Sequence, residues 1–287
     1  VPVSGEELMA TPTPAKAPGF LFAALRVFDL SLGEMLWSRR TIFMALVTGV
    51  PVLLALIVRG AQALGAGNIH VNNMTVNGPA IFGLMIWAFY LRFTIPVLGA
   101  FYGTSLIADE VEEKTITYLF TRPVSRGAVL FGKFLAYVLC TFIVVLPSVT
   151  IVWLVVTPMG GSLGRSFPDF LKDLLILAAG LVSYGALFAW VGSQFKRPLL
   201  ASLVFVFGFE PFVLVFPGYL KRLTLAYYLQ GLVPQAMPND SVVSLVQGIF
   251  REIPSLSEAV VALAVIVAVC LWLAARTVTN KEYVLEQ

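Results

Sequence analysis

Between Arg40 and Arg59 the chain reads TIFMALVTGVPVLLALIV, with no charged residue. A helix of roughly 20 apolar residues crosses the hydrocarbon core of a bilayer. There it must satisfy its backbone groups internally, which a helix does. Runs of this kind recur along the sequence, and they constrain the fold more than any other feature. Composition points the same way: 59% of residues are hydrophobic and 12% charged, against about 25% charged in soluble domains. The expected class is an all-α integral membrane protein.

Six spans are predicted: Thr41–Val58, Ala80–Ala108, Phe131–Val156, Leu174–Val191, Leu199–Phe216 and Ala259–Ala275. Basic residues set the orientation, since Lys and Arg accumulate in cytoplasmic loops. With the N-terminus in the cytoplasm, that side holds Lys16, Arg26, Arg39, Arg40, Lys114, Arg122, Arg126, Lys133, Lys196, Arg197, Arg276 and Lys281. The other side holds only Arg59, Arg165, Lys172, Lys221, Arg222 and Arg251. Both termini are therefore expected in the cytoplasm, in the inner or plasma membrane of the cell.

The spans divide the chain. Residues 1–19, rich in Pro and Thr, read as a disordered cytoplasmic tail; they lack the basic and apolar blocks of a signal peptide. Residues 20–40 place Arg26, Asp29 and Glu34 near helical spacing among Phe22, Leu25, Phe28, Leu32 and Leu36. That pattern predicts an amphipathic helix in the cytoplasmic interface. The transmembrane domain follows over 41–275, with an external helical segment at 217–257 that either covers the bundle or caps an exit pathway, and residues 276–287 form a second cytoplasmic tail. A net charge of +3 gives no reason to invoke nucleic acid. Cys140 and Cys270 lie far apart in apolar runs, and His70 has no histidine or cysteine near it. Neither a disulfide nor a metal site is expected.

One motif invites a nucleotide. Residues 127–134, GAVLFGKF, match all but the last position of the phosphate-binding loop G-x-x-x-x-G-K-[ST]. That loop must follow a buried strand and end in a hydroxyl for magnesium. Phe134 stands where the hydroxyl belongs and an apolar run follows, so Lys133 reads as a headgroup-level anchor and no cofactor is expected on this chain.

Within the spans, Arg92 and Glu210 are the anomalies. A charge at the centre of a spanning helix costs about 2.5–3.5 kcal/mol. At a rise of ~1.5 Å per residue they lie at depths of roughly 24 and 18 Å from the cytoplasmic ends of their spans. They are expected to pair, within one subunit or across a dimer, either lining a substrate path or neutralising each other. Pro96 and Pro211 lie beside them, where kinks open local cavities. Gly99 and Gly103 form a small-x-x-x-small pattern that permits close helix approach.

The loop after the second span is IADEVEEKTITYLFTRPVSRGAVLFGKFLA (107–136). Asp109, Glu110, Glu112 and Glu113 cluster where a helix is expected to begin, and carboxylates complement a helix N-terminus. Thr115 to Phe120 set Ile116, Leu119 and Phe120 on one face. Pro123 stops that helix and Ser125 is placed to cap the next. A short, charged helix held at both ends is an element on which a soluble partner could push.

This stretch resembles the signature region of the ABC type-2 transporter permease family: an acidic residue, a Gly-Thr, an apolar pair, a Pro with a nearby Arg, and Gly-Lys opening the third span. Glu110, Thr115, Leu119, Pro123, Arg126, Gly132 and Lys133 fall in step, with Lys114 in place of the usual glycine. The similarity is closest to the subgroup that includes the permease of the nitrous-oxide reductase maturation transporter, without implying that substrate. The resemblance implies the transmembrane subunit of an exporter. Two permeases, identical or paralogous, form the pathway. Separate ABC ATPase subunits, holding ATP and magnesium, dock on the 109–126 loop as a coupling element. The alternatives are a secondary transporter or channel, which inverted repeats would favour, and a structural membrane subunit of a larger complex. A membrane-embedded enzyme would need clustered catalytic groups.

Overall fold

The computed structural model describes residues 19–64, 70–71, 74–75, 77–112, 125–215, 219–233 and 254–280. Among the described residues, eight helical elements carry the fold. Helix α1 (Phe20–Leu36) ends at Trp37, and α2 (Arg39–Ala63) starts after Ser38. A two-residue antiparallel pairing, β1 (His70–Val71) with β2 (Met74–Thr75), precedes the long rod α3 (Gly78–Ala108, continuing to Glu112). Then come α4 (Arg126–Val156), α5 (Leu163–Gln194), α6 (Pro198–Leu214), the short α7 (Leu225–Gly231) and α8 (Leu256–Asn280). A 3-10 turn, Tyr219–Leu223, leads into α7.

Five of these helices, α2, α3, α4, α5 and α8, are long and apolar enough to cross a bilayer; α6 is shorter. The protein is an all-α membrane protein. The fourth apolar segment starts well before Leu174: the helix begins at Leu163, with the Ser162 hydroxyl accepting from the Arg165 N–H at 3.4 Å as an N-terminal cap.

Two helices depart from regular α geometry. In α3 the turns Ile86–Thr94 and Gly99–Gly103 are π-helical, as is Phe205–Phe209 in α6. A π turn holds one more residue than an α turn and is frequent at functional sites. Each extra residue rotates the following side chains by ~100°, so the faces of α3 and α6 are not those a 3.6-residue period assigns.

The bundle is closed by interlocking glycines and aromatics. A Cβ on Gly99 would lie 2.8 Å from Tyr184 Cβ, and one on Gly103 would lie 2.9 Å from Phe188 Cβ. The small pair thus seats α3 directly on α5, and Tyr184 and Phe188 are fully buried beside it. Polar side chains join helices across the core. The Ser148 hydroxyl (α4) donates to the Thr48 carbonyl (α2) at 2.8 Å and meets the Tyr90 hydroxyl (α3) at 2.7 Å. The Tyr137 hydroxyl (α4) donates to the Leu181 carbonyl (α5) at 2.9 Å. In a medium without water these groups need such partners.

The stretch Gly127–Phe134 forms the first turns of α4. Amides from Ala128 onward are engaged in helical hydrogen bonds: those of Ala128 and Val129 reach the Ser125 carbonyl. Gly132 has a packing reason to be glycine, because a Cβ there would come within 2.5 Å of the Ala24 carbonyl of α1. Helix α1 lies across α4 at this point, burying Ala23 and Ala24 while Leu21, Phe22, Leu25 and Leu30 stay exposed.

Candidate functional site

Glu210 opens the last part of α6, directly after the π turn, and is only 4% exposed. A carboxylate so deep in an apolar bundle must have its oxygens satisfied. Tyr184 of α5 supplies one donor, its hydroxyl lying 2.7 Å from both carboxylate oxygens so that a single hydrogen is shared between them. The second comes from the backbone: the Ala226 N–H donates to the Glu210 carboxylate at 2.9 Å. Ala226 is the second residue of α7, where the N–H groups of a helix have no intrahelical acceptor. The carboxylate therefore closes the N-terminus of α7 and also complements its dipole.

This bond redefines the segment expected to be external. Rather than lying over the bundle, α7 is packed into it, with Leu225 to Leu229 all buried. The physical reason is the pairing of two groups that cannot be left alone in an apolar surround, a carboxylate and an uncapped helix start. Residues 217–218 and 234–253 of the segment are outside the described residues.

Arg92 sits in the long π turn of α3 and is exposed; its guanidinium lies over the Trp87 ring, 5.5 Å from the centroid. Arg92 and Glu210 line the same cavity, of about 200 Å³, together with Pro96, Tyr184, Phe207 and Gln230. Among the described residues no salt bridge joins them. Each charge is held by other groups, and the cavity lies between. Gln230 of α7 adds an amide whose oxygen and nitrogen are both buried and, among the described residues, have no hydrogen-bond partner. At the mouth, Phe93 and Phe207 bring their rings to 6.2 Å. The site thus offers a cation, an anion and an amide with free donor and acceptor capacity, set in aromatic walls.

Sequence reasoning picked out Arg92 and Glu210 but missed Tyr184, Gln230 and the Ala226 amide. Gln230 carried a legible signal, a lone amide in the apolar helix LAYYLQG. Tyr184 carried none, since an interior tyrosine looks like any other core aromatic. A further buried carboxylate, Asp173 of α5, is fully enclosed; the sequence reading had begun that span one residue after it.

The loop residues are placed only in part. Asp109, Glu110 and Glu112 belong to the last piece of α3, Thr104–Glu112, and so continue the rod instead of starting a new helix. The run of Ala, Asp, Glu and Val after Ile107 contains no residue that would break it. Glu113, Thr115, Ile116, Leu119, Phe120 and Pro123 lie outside the described residues. Ser125 occupies the N-cap of α4 but makes no side-chain capping bond. Arg126 donates to the carbonyls of Val278 and Thr279 at 3.3 and 3.1 Å, tying the start of α4 to the C-terminal end of α8. A cation there satisfies free carbonyls and suits the negative end of the helix dipole.

Compared with known families, residues 22–280 match the one described as ABC-2 family transporter protein. No curated protein matches the chain.

Proposed function

The chain belongs to the ABC-2 transporter family, a membrane subunit of an ABC transporter, and on that premise we propose that two such permeases form an export pathway driven by separate ATPase subunits. The observation that carries the pathway is the cavity between Arg92, Glu210 and Gln230. An exposed arginine at mid-span costs about 2.5–3.5 kcal/mol against lipid. The cost falls away when its face meets a second permease or an aqueous path. The unpartnered Gln230 amide and the two π turns beside the charges favour a place where groups exchange partners.

ATP and magnesium reside in the partner ATPase, which docks on the 109–126 loop. Asp109, Glu110, Glu112 and Glu113 offer carboxylates to basic groups of that partner, and Ile116, Leu119 and Phe120 fill its groove. The rod α3 supports this reading of coupling, because it runs without a break from the Arg92 level to Glu112. A push on the loop then reaches the cavity through one element. Helix α1, with its exposed leucines and Phe22, lies in the cytoplasmic interface, and both termini are cytoplasmic in the inner or plasma membrane.

The test is affinity purification in mild detergent. An ATPase subunit that co-purifies, and is lost on the double change Glu110→Lys and Glu113→Lys, supports the proposal. Reproducible absence of an ATPase, with transport surviving ATP depletion, overturns it. Transport and assembly both unchanged by Glu210→Gln would remove the cavity from the pathway.

A further inference from the structure

A second cavity lies away from the charged site, on the outside of the bundle between α5 and α8. It has a volume of about 670 Å³, and its wall is apolar apart from Lys172 and Ser183. On α5 its lining runs from Lys172 to Ser183, and on α8 from Leu256 to Ala268. At ~1.5 Å per residue these stripes are about 17 and 18 Å long. Lys172 and Leu256 lie close to the predicted span starts Leu174 and Ala259, which sets the N-terminal ends of both stripes at one edge of the expected bilayer. Half of a ~30 Å hydrocarbon core is about 15 Å. The groove is therefore one leaflet deep.

Its floor is recessed because small residues line it from both sides: Ala178 and Ala179 from α5, Ala264 and Ala268 from α8. Small residues normally let helices close up, yet among the described residues the space beside them stays open. At the membrane edge stands Lys172, whose ammonium bonds to Asp169 at 3.1 Å with both side chains well exposed. A lysine at the end of an apolar groove keeps its charge at the headgroup level while its stem runs along the wall.

We propose that this groove is a binding site for a phospholipid of the leaflet on the Lys172 side, with acyl chain in the groove and phosphate on Lys172. Length fixes the acyl chain, since the groove ends near the bilayer midplane. The lysine fixes the headgroup, since an ammonium makes a charge-assisted hydrogen bond to a phosphate oxygen. Exchange of Asp169 for phosphate on Lys172 is a change of partner between exposed groups and costs little.

The test reconstitutes the protein in vesicles of phosphatidylethanolamine and phosphatidylglycerol in equal parts, extracts it in mild detergent, and counts retained lipid by native mass spectrometry. Ala264 and Ala268 are exposed to the groove, so Ala264→Phe and Ala268→Phe fill it without entering the core. Each is expected to lose one phospholipid per chain. Ala268→Leu, which fills less, should lose only part of it. Val265→Phe, 53% exposed on the same helix but outside the groove, should keep the wild-type count. Lys172→Gln should lower retention of phospholipid relative to diacylglycerol added to the same vesicles. Equal retention in the filled variants overturns the site. So does a filled variant that changes the oligomer mass instead of the lipid count, because the groove would then receive a second copy. An unchanged phospholipid-to-diacylglycerol ratio in Lys172→Gln overturns the phosphate contact.

Discussion

Replacing Tyr184 by Phe removes one oxygen and leaves the ring in its stack on Phe188, with centroids 6.0 Å apart. Among the described residues, the lost group is the one side-chain donor to the Glu210 carboxylate, at 2.7 Å to both oxygens. A hydrogen bond to a charged group contributes about 1.5–3 kcal/mol, whereas interhelical bonds in membranes average about 0.6 and reach about 1.7. Burial and double contact put this bond at the upper end of the membrane range, so Tyr184→Phe should cost about 1.5 kcal/mol. Glu210→Gln leaves an oxygen that can still accept from Ala226 and should cost less than Glu210→Leu, which abandons both Tyr184 and the α7 amide. The informative measurement is the double-mutant cycle of Tyr184→Phe with Glu210→Leu, read by reversible unfolding in mixed micelles. Removal of both partners should cost less than the sum of the singles by about 1 kcal/mol or more. Effects that add to within about 0.5 kcal/mol would mean the two residues act independently and would refute the account of how Glu210 is tolerated.

Four further outcomes follow from the geometry. Gly132→Leu should destabilise by about 1–3 kcal/mol through overpacking of α1 against α4, and limited proteolysis near residue 37 should speed up as α1 is released. Ser148→Ala should cost about 0.6–1.7 kcal/mol in the same micelle assay, since it breaks the link from Tyr90 to Thr48 between three helices. Arg126→Gln should loosen the end of α8 by about 0.3–1 kcal/mol, seen as faster hydrogen exchange at Val278 and Thr279 with α4 unaffected. Gly103→Leu should separate α3 from α5 and lower the thermal midpoint more than Gly127→Leu, whose Cβ has open room apart from the Phe20 ring at 3.7 Å.

The apolar runs made the membrane class and most of the long helices legible, because hydropathy is summed along the chain and needs no knowledge of neighbours. It served less well at the edges. The apolar window stops at a charge, whereas a helix continues through Arg165, Lys172 and Asp173 as long as its backbone bonds are kept. The phosphate-loop pattern at 127–134 could be weighed from Phe134 and the apolar run after it, but the use of Gly132 was not visible, since it depends on where α1 packs on α4.

The charged site divides in the same way. That Arg92 and Glu210 demand an explanation follows from the cost of charge in hydrocarbon, which any spanning sequence reveals. Which groups meet them does not. The π turns offset the faces of α3 and α6 from the α-helical period, and α7 folds back to offer an amide from sixteen residues further along the chain. A hydrogen bond is decided by ångström-scale placement and by helix rotation, and those are properties of the packed bundle. The sequence by itself determined the solvent, the long helices and the anomalous charges; only the tertiary structure decided that Tyr184 and Ala226 supply the hydrogen bonds that hold Glu210 within the chain.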